Sequence, residues 1–215
     1  MVIDRPKMSI KVLAEYLTNN KQIDAETLNP YKYPNTNGYF PWLYYREAKT
    51  IIRRFHDAGN DLAIIHNKLR ELERLAAGSE KSEKRRINNN IRIIKDYAGN
   101  RENVKLVPRA GKRVKLYVEG VEVFAKPELV ASEGTQTILY KFDFVKDSRP
   151  EDYAGYIVSS LILWNEEAGF DVNVGNYRYY AITPNQELTD LDIDERFLER
   201  LRATCHKIAT LWPDV

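Results

Sequence analysis

The chain has 215 residues, 43% of them hydrophobic, and its 33 basic and 31 acidic residues leave a formal net charge of +2. This length suits one well-buried core and is short for two, and the near balance of charge excludes a protein that binds nucleic acid through net charge alone. The single cysteine excludes an intrachain disulfide and a thiolate metal cluster, and no apolar run reaches the ~18 to 20 residues of a membrane span, so we expect a soluble, cytoplasmic protein with no membrane partner.

The first 43 residues are predicted to form an extension in front of the main domain. Ser9 is a suitable N-cap for a short helix with apolar residues at Ile10, Leu13 and Leu17. The segment NPYKYPNTNGYFPW, residues 29–42, follows, and its prolines disfavour a helix while its aromatic side chains favour an ordered loop. We therefore predict a helix and aromatic loop at 1–43 and an α/β domain at 44–215.

Three helices are predicted at the start of that domain. Apolar residues at helical spacing from Tyr44 to Ala77, interrupted at Gly59, indicate two of them. The sequence GSEKSEKRR, residues 78–86, is predicted to be a charged connection. The sequence INNNIRIIKDYAGN behind it predicts the third helix, ending at Gly99.

The hydrophobic period then changes from about 3.6 to 2, which indicates strands. The sequences VKLYVEGVEVFAKPELVAS and TQTILYKFDFV predict three neighbouring antiparallel strands, with turns at Glu119-Gly120 and Glu133-Gly134.

The C-terminal third is predicted to alternate between helix and strand. Residues 151–168 predict a helix that stops at Gly169, and FDVNVGNYRYYAIT predicts a strand region with a hairpin at Gly175-Asn176. Residues 192–212 predict an amphipathic helix. Together these elements predict an α/β fold in which helices flank a mixed sheet.

Two short motifs lie on the predicted strands. In VEVFAKPELV, Glu128 follows Pro127 beside an apolar run, and in TILYKFDFV, Lys141 lies within the next run. This order of elements and motifs resembles the PD-(D/E)XK nuclease superfamily, and most of all its RecB-like branch, over roughly residues 44 to 212. The resemblance implies a restriction-endonuclease-like sheet, with Glu128 in the place of the first metal-binding acid and Lys141 in that of the lysine.

The second acid of that motif stands two residues before the lysine, where this chain has Leu139. In the superfamily, carboxylates hold the Mg²⁺ that polarises the phosphate and lowers the pKa of a water, and the lysine orients that water. Leucine offers the ion no oxygen. Because side chains alternate along a strand, Asp143 faces the same way as Lys141, so a rearranged site would use Asp143 as its second acid.

Two helix residues are further candidates for a rearranged site. His66, in LAIIHNKLREL, resembles the helix histidine that some RecB-like nucleases add to the metal site, and Glu47 resembles the helical acid of other branches. The candidate Mg²⁺ ligands are therefore Glu128, Asp143 and His66, and the candidate catalytic residues are Glu128, Lys141 and Asp143. In the alternative, His66 and Glu47 are ordinary helix residues.

A dense basic segment is the candidate contact for nucleic acid. Its members are Lys84, Arg85, Arg86, Arg92 and Lys95. Such side chains bind the phosphate backbone, whereas the alternative is a solvated helix face whose charge Glu80 and Glu83 partly cancel. Tyrosines at 31–45 and 177–180 are candidates for stacking on bases or for a protein interface.

Three functions remain open from the sequence. The leading hypothesis is a degenerate nuclease fold that binds nucleic acid, DNA in the first place, or a partner protein, with little or no cleavage. The second is an active Mg²⁺-dependent DNase with a rearranged acid set. The third is a structural assembly subunit, which predicts no basic groove and an exposed aromatic patch near residues 31–45.

Overall fold

The computed structural model of the chain describes residues 2–19, 21–34, 44–147 and 149–215. The helices in these ranges are α1 (Ile10–Thr18), α2 (Ala25–Lys32), α3 (Arg46–Asp57), α4 (Leu62–Gly78), α5 (Lys81–Arg101), α6 (Glu151–Ala168) and α7 (Glu195–Leu211). The strands are β1 (Lys7–Ser9), β2 (Val107–Pro108), β3 (Leu116–Val118), β4 (Val121–Phe124), β5 (Leu129–Glu133), β6 (Gln136–Asp143), β7 (Tyr177–Ala181) and β8 (Gln186–Thr189).

Local sequence signals set several helix ends. The Ser9 hydroxyl accepts a hydrogen bond from the Lys11 backbone N–H and begins α1 as predicted, and Asp24 begins α2 through a capping box with Thr27. Gly169 ends α6 with a φ of 62°, in the left-handed region that favours glycine. These ends follow from short-range side-chain chemistry.

The strands form two sheets. The larger has the order β2-β5-β6-β7-β8, in which β6 and β7 are parallel and the other neighbours are antiparallel. The smaller has the order β1-β4-β3, with β1 parallel to β4. The helix α6 connects β6 to its parallel neighbour β7, which is the connection that parallel pairing requires.

The larger sheet is covered on both faces. On one face, Ile138, Tyr140 and Phe142 of β6 pack in a core shared with α3, α4 and α5. On the other face, Leu139 packs in a core shared with α1, α6, α7 and the smaller sheet. The predicted α/β class, with a mixed sheet flanked by helices, is therefore confirmed.

The helix α6 is buried along most of its length, and its packing needs one residue without a side chain. A Cβ at Gly155 would lie only 2.7 Å from Cε1 of Phe197 on α7. The hydroxyl of Ser159, which is also buried, donates to the carbonyl oxygen of Gly155 within the helix. Close approach of the two helices depends on the glycine.

The N-terminal residues share the core of the rest of the chain. Met8 of β1 and Ile10 and Leu13 of α1 are fully buried together with Trp164 of α6. Residues 29–32 of the predicted aromatic loop belong to α2, because the capping box starts a helix that runs to Lys32. Residues 35–43 of that loop lie outside the described ranges, and the predicted boundary at 43/44 stays a prediction.

The prediction of three antiparallel strands in one sheet was wrong. The turn at Glu119-Gly120 joins β3 and β4 of the smaller sheet, and the turn at Glu133-Gly134 joins β5 and β6 of the larger. The segment between them contains Pro127, which has no backbone N–H for a ladder, and the chain changes sheets there.

Two further boundaries differ from the prediction. Gly175-Asn176 is a turn before β7, held by Asp190, whose carboxylate accepts from the Gly175 and Tyr177 backbone N–H groups. The hairpin instead joins β7 to β8. The first residues of β8 are polar, so the sequence did not indicate a strand there. The helix α5 begins at Lys81, because lysine, glutamate and arginine at 81–86 favour helix.

Among the described residues, no helix has the length and apolar character needed to span a membrane.

A buried histidine ties α3 to α5. His56 Nδ1 lies 2.8 Å from Asn60 Oδ1, and His56 Nε2 lies 2.7 Å from the Tyr97 hydroxyl. The Asn60 amide nitrogen donates to the carbonyl oxygens of Glu102 and Val104, so its oxygen accepts from Nδ1–H and the Tyr97 hydroxyl donates to Nε2. Burial lowers the pKa of His56 and holds the ring neutral.

This arrangement predicts a loss of stability in mild acid. Because the unfolded chain binds the proton more readily, the free energy of unfolding should fall as pH drops below about 6.5, with a limiting slope of about 1.4 kcal/mol per pH unit. The variant His56→Gln should lose about 1 to 3 kcal/mol at pH 7.5 and lack this slope. Urea unfolding between pH 7.5 and 5.5 measures both, and the exposed His66→Gln is the matched control. Parallel pH profiles for His56→Gln and the unsubstituted protein would contradict the prediction.

Candidate functional site

A large cavity opens at the end of β6. Its volume is about 930 Å³, and α1, α3, the start of α6 and the end of β4 contribute to its walls. The residues that line it are Ser9, Lys11, Val12, Glu15, Tyr31, Tyr45, Lys49, Phe124, Glu128, Lys141, Asp143, Phe144, Val145, Arg149 and Tyr153. All three residues predicted to be catalytic, Glu128, Lys141 and Asp143, are among them.

Strand alternation brings two of these residues into the cavity. Leu139, Lys141 and Asp143 lie on one face of β6, as the sequence predicted, while their neighbours Tyr140 and Phe142 enter the core on the opposite face. Leu139 is fully buried in the core and takes no part in the cavity lining.

The third residue, Glu128, reaches the site through the β5–β6 hairpin. Its backbone N–H donates to the carbonyl oxygen of Tyr140, so it stands beside the end of β6. Its carboxylate lies 3.6 Å from Lys141 Nζ and 3.3 Å from Lys49 Nζ, and accepts from the Phe142 backbone N–H at 3.2 Å. Only 8% of each side chain in the Glu128–Lys141 pair is exposed. The two motif residues therefore form a buried ion pair.

The electrostatic environment of this pair is dominated by lysines. Burial alone would raise the pKa of Glu128, but Lys141, Lys49 and Lys11 together outweigh it and hold the pKa of that carboxyl below its usual range. Burial lowers the pKa of Lys141 to about 8, although Glu128 opposes the shift. At neutral pH both groups are charged. Lys141 Nζ also donates to the carbonyl oxygen of Lys126 at 2.5 Å.

The second carboxylate, Asp143, is held by a separate pair of cations. One oxygen lies 3.7 Å from Lys11 Nζ and the other 3.5 Å from Nε of Arg149. The Tyr179 hydroxyl donates to the second oxygen at 2.8 Å, and the Val145 backbone N–H donates to the first at 3.4 Å. Lys11 also donates to the carbonyl oxygen of Phe142, which fixes it at the end of β6.

These residues do not fit a Mg²⁺ ion. Mg²⁺ requires oxygen ligands at about 2.0 to 2.1 Å in octahedral geometry. All four oxygens of Glu128 and Asp143 already face protein cations or donors, and binding an ion would displace ammonium groups from them. Within the described residues, no third histidine, cysteine or acid joins them in a group able to hold a metal. The donor set favours an anion instead.

The two helix candidates lie apart from this cavity. His66 is exposed on α4 and does not line it. Glu47 lies in the first turn of α3, where Lys68 Nζ approaches its carboxylate to 2.6 Å and holds the pKa of that carboxyl below its usual range. The structure does not bring either residue to Glu128 and Asp143.

The predicted basic segment lies on α5, where Arg92 pairs with Asp96 at 3.6 Å and also contacts the cavity. Arg92 donates to the carbonyl oxygen of the cavity residue Phe144 at 3.2 Å. Lys84 and Arg85 are exposed, and no ion pair engages their side chains in the described part of the chain. Arg86 pairs with Glu83, and Lys95 pairs with Glu73 of α4.

Sequence reasoning missed four residues that shape the cavity. Lys11, Lys49 and Arg149 supply most of its positive charge, and each side chain is about one-third exposed. Phe124 adds an exposed aromatic ring. The sequence carried no signal for them, because each reaches the site through tertiary packing of a different element.

Comparison with known proteins did not assign the chain to a family. No protein-family model matches the chain, and no match to it was found among curated proteins. The resemblance to the nuclease superfamily therefore stays a prediction that depends on Glu128, Lys141 and their place in the fold.

The buried Glu128–Lys141 pair predicts strong coupling in stability. Glu128→Gln leaves Lys141 buried beside other lysines without its carboxylate, so the free energy of unfolding should fall by about 3 kcal/mol. The double variant Glu128→Gln/Lys141→Met should recover part of this loss, because both charges are gone. Urea unfolding measures each variant.

A matched control lies on the same hairpin. Glu133 is 44% exposed and pairs with Arg178, so Glu133→Gln should cost less than about 1 kcal/mol. Equal losses for Glu128→Gln and Glu133→Gln would contradict the coupling, as would additive effects in the double variant.

Proposed function

We propose that the chain has a restriction-endonuclease-like fold whose cavity binds nucleic acid, DNA in the first place, and does not cleave it through Mg²⁺. The observation that carries the proposal is the double pairing of each cavity carboxylate with protein cations: Glu128 with Lys49 and Lys141, and Asp143 with Lys11 and Arg149. These cations contact the carboxylate oxygens that a metal-dependent nuclease needs free to bind its metal ion.

The charge of the cavity favours an anion. Four cations line it, Lys11, Lys49, Lys141 and Arg149, against three carboxylates, Glu15, Glu128 and Asp143. Lys11, Lys49 and Arg149 are partly exposed and can meet a ligand. A phosphate group carries the charge that such a lining attracts, and low-dielectric walls strengthen the attraction.

The basic side of α5 extends this surface. Arg92 contacts the cavity wall at Phe144, and Lys84 lies two helical turns away, a rise of about 12 Å. Lys84, Arg92 and the intervening Asn88 recur at four-residue spacing, so they share one side of the helix. A strand that leaves the cavity past Phe144 would meet Arg92 and then the exposed lysine.

The other two functions predict different geometry. A rearranged DNase needs carboxylates free to bind an ion, whereas those of Glu128 and Asp143 are paired with cations. An assembly subunit needs an exposed aromatic patch near residues 31–45; among the described residues of that segment, Tyr31 and Tyr45 line the cavity and Tyr33 is exposed. We also propose a cytoplasmic location, because the single cysteine allows no intrachain disulfide.

Binding should be independent of a metal and should depend on the cavity lysines. Fluorescence anisotropy with labelled DNA should show binding in EDTA, and Mg²⁺ should not strengthen it. The variants Lys11→Gln and Lys49→Gln should weaken binding and reduce the slope of log K against log salt by about 0.7 to 1 each, since each removes one phosphate contact. Lys207→Gln, an exposed substitution on α7 outside the cavity lining, is the control.

Cleavage is followed in the same tubes with Mg²⁺ and with Mn²⁺. Intact DNA is the expected result. Metal-dependent cleavage that both Glu128→Ala and Lys141→Ala abolish would overturn the proposal in favour of the DNase. Binding of nucleic acid that neither Lys11→Gln nor Lys49→Gln weakens would place the contact outside the cavity and also overturn it.

A further inference from the structure

The cavity contains aromatic surface as well as charge. Phe144 is buried, and Lys11 Nζ and Lys49 Nζ lie 5.3 and 5.4 Å from its ring centroid. Tyr45 stacks on the same ring, with centroids 4.8 Å apart and an angle of 21° between the planes. Two ammonium groups therefore flank an aromatic stack inside the cavity.

Phe124 presents a second aromatic surface at the cavity opening. It is the last residue of β4, it pairs with Ser9 across the β1–β4 ladder, and 55% of it is exposed to solvent. Both Phe124 and Ser9 line the cavity. Phe124 therefore adds an aromatic surface, open to water, to the cavity that Lys11, Lys49 and Arg149 also line.

The size of the cavity limits what can cover that ring. A volume of about 930 Å³ lies near the upper end of the ~300 to 1,000 Å³ range of small-molecule and cofactor sites. Such a space can enclose one or a few nucleotides but not a duplex. A base reaches a pocket of this kind only when it is unpaired or turned out of the helix.

We propose that the cavity selects unpaired nucleic acid, with a base stacked on Phe124 and the adjoining phosphates held by Lys11, Lys49 and Arg149. This inference rests on the proposed function and adds to it the class of ligand and the residue that recognises it. Stacking on an aromatic side chain tolerates any base, because every base has a π-face. The site therefore recognises unpaired bases whatever their sequence.

Charge complementarity decides between nucleic acid and an aromatic protein segment. The exposed ring lines the same cavity as three cations, and a single strand places a negative phosphate next to every base. At most three phosphates can meet Lys11, Lys49 and Arg149, so log K should fall with log salt at a slope of about −2 for a short single strand.

The experiment compares four labelled probes by anisotropy: a single-stranded oligonucleotide, its duplex, a strand of equal length with abasic sites, and a poly-glutamate peptide. The single strand should bind at least about tenfold more tightly than any of the others. Phe124→Ala should remove the advantage of the base-containing strand over the abasic strand, and Phe124→Tyr should retain it. A 2-aminopurine base in the strand should lose fluorescence on binding when Phe124 is present.

The control is Tyr117→Ala. Tyr117 is 51% exposed on β3, on the same outer face of the small sheet as Phe124, and does not line the cavity. Because Phe124 is largely exposed, Phe124→Ala should fold, and circular dichroism verifies this before binding is measured.

The outcomes separate the two proposals. Equal binding of strand and duplex, or of the base-containing and abasic strands, with continued dependence on Lys11 and Lys49, would overturn the inference and leave the proposed function standing. No binding of any nucleic acid would overturn both. Tighter binding of poly-glutamate than of the single strand would overturn both in favour of an acidic protein segment.

Discussion

A carboxylate buried away from water is stable only when cations or hydrogen-bond donors replace the water. The groups that stabilise the Glu128 carboxylate in this way determine how the elements around it are arranged. Its partners are Lys141 on β6, Lys49 on α3 and the backbone N–H of Phe142. The hairpin register of β5 and β6 sets the first contact, and packing of α3 against the sheet sets the second. An isolated buried charge would be strongly unfavourable, so hairpin and helix must dock together.

The same requirement links the two layers of helices. The helix α3 belongs to one face of the large sheet and α1 to the other, yet Lys49 and Lys11 both reach the end of β6 and both lie near the Phe144 ring. The cavity forms where these layers meet beyond the last ladder residue, Asp143. Its positive lining is therefore a product of the whole fold, whereas the ion pair at its base comes from one hairpin.

Leu139 adds no charge to the cavity at the end of β6, because it is buried in the hydrophobic core. With leucine, the position joins the hydrophobic core, and one carboxylate is balanced by ammonium groups. Lys141 and Lys49 therefore provide the positive charge that the buried Glu128 carboxylate requires.

The sequence predicted the parts of this fold that depend on neighbouring residues. Ser9 as a cap, Gly169 as a stop and the turn at Glu119-Gly120 all follow from local geometry. Pairing of β1 with β4, the division into two sheets and the arrival of Lys11, Lys49 and Arg149 depend on contacts between distant segments. Periodicity carries no information about which distant segment will be a neighbour.

Lys11 illustrates what that distance means for folding. Its ammonium donates to the carbonyl oxygen of Phe142, 131 residues further along the chain. During synthesis, β1 and α1 cannot pair with β4, β6 and α6 until those elements have left the ribosome. Contacts of such high sequence separation form slowly, because the chain loses the entropy of loop closure before the contacts stabilise it. The hairpin β5–β6, with its short turn, can form its ion pair early. The cavity therefore combines two kinds of contact: the Glu128–Lys141 pair lies within one hairpin, whereas Lys11 reaches the same place only when segments far apart in the chain have come together.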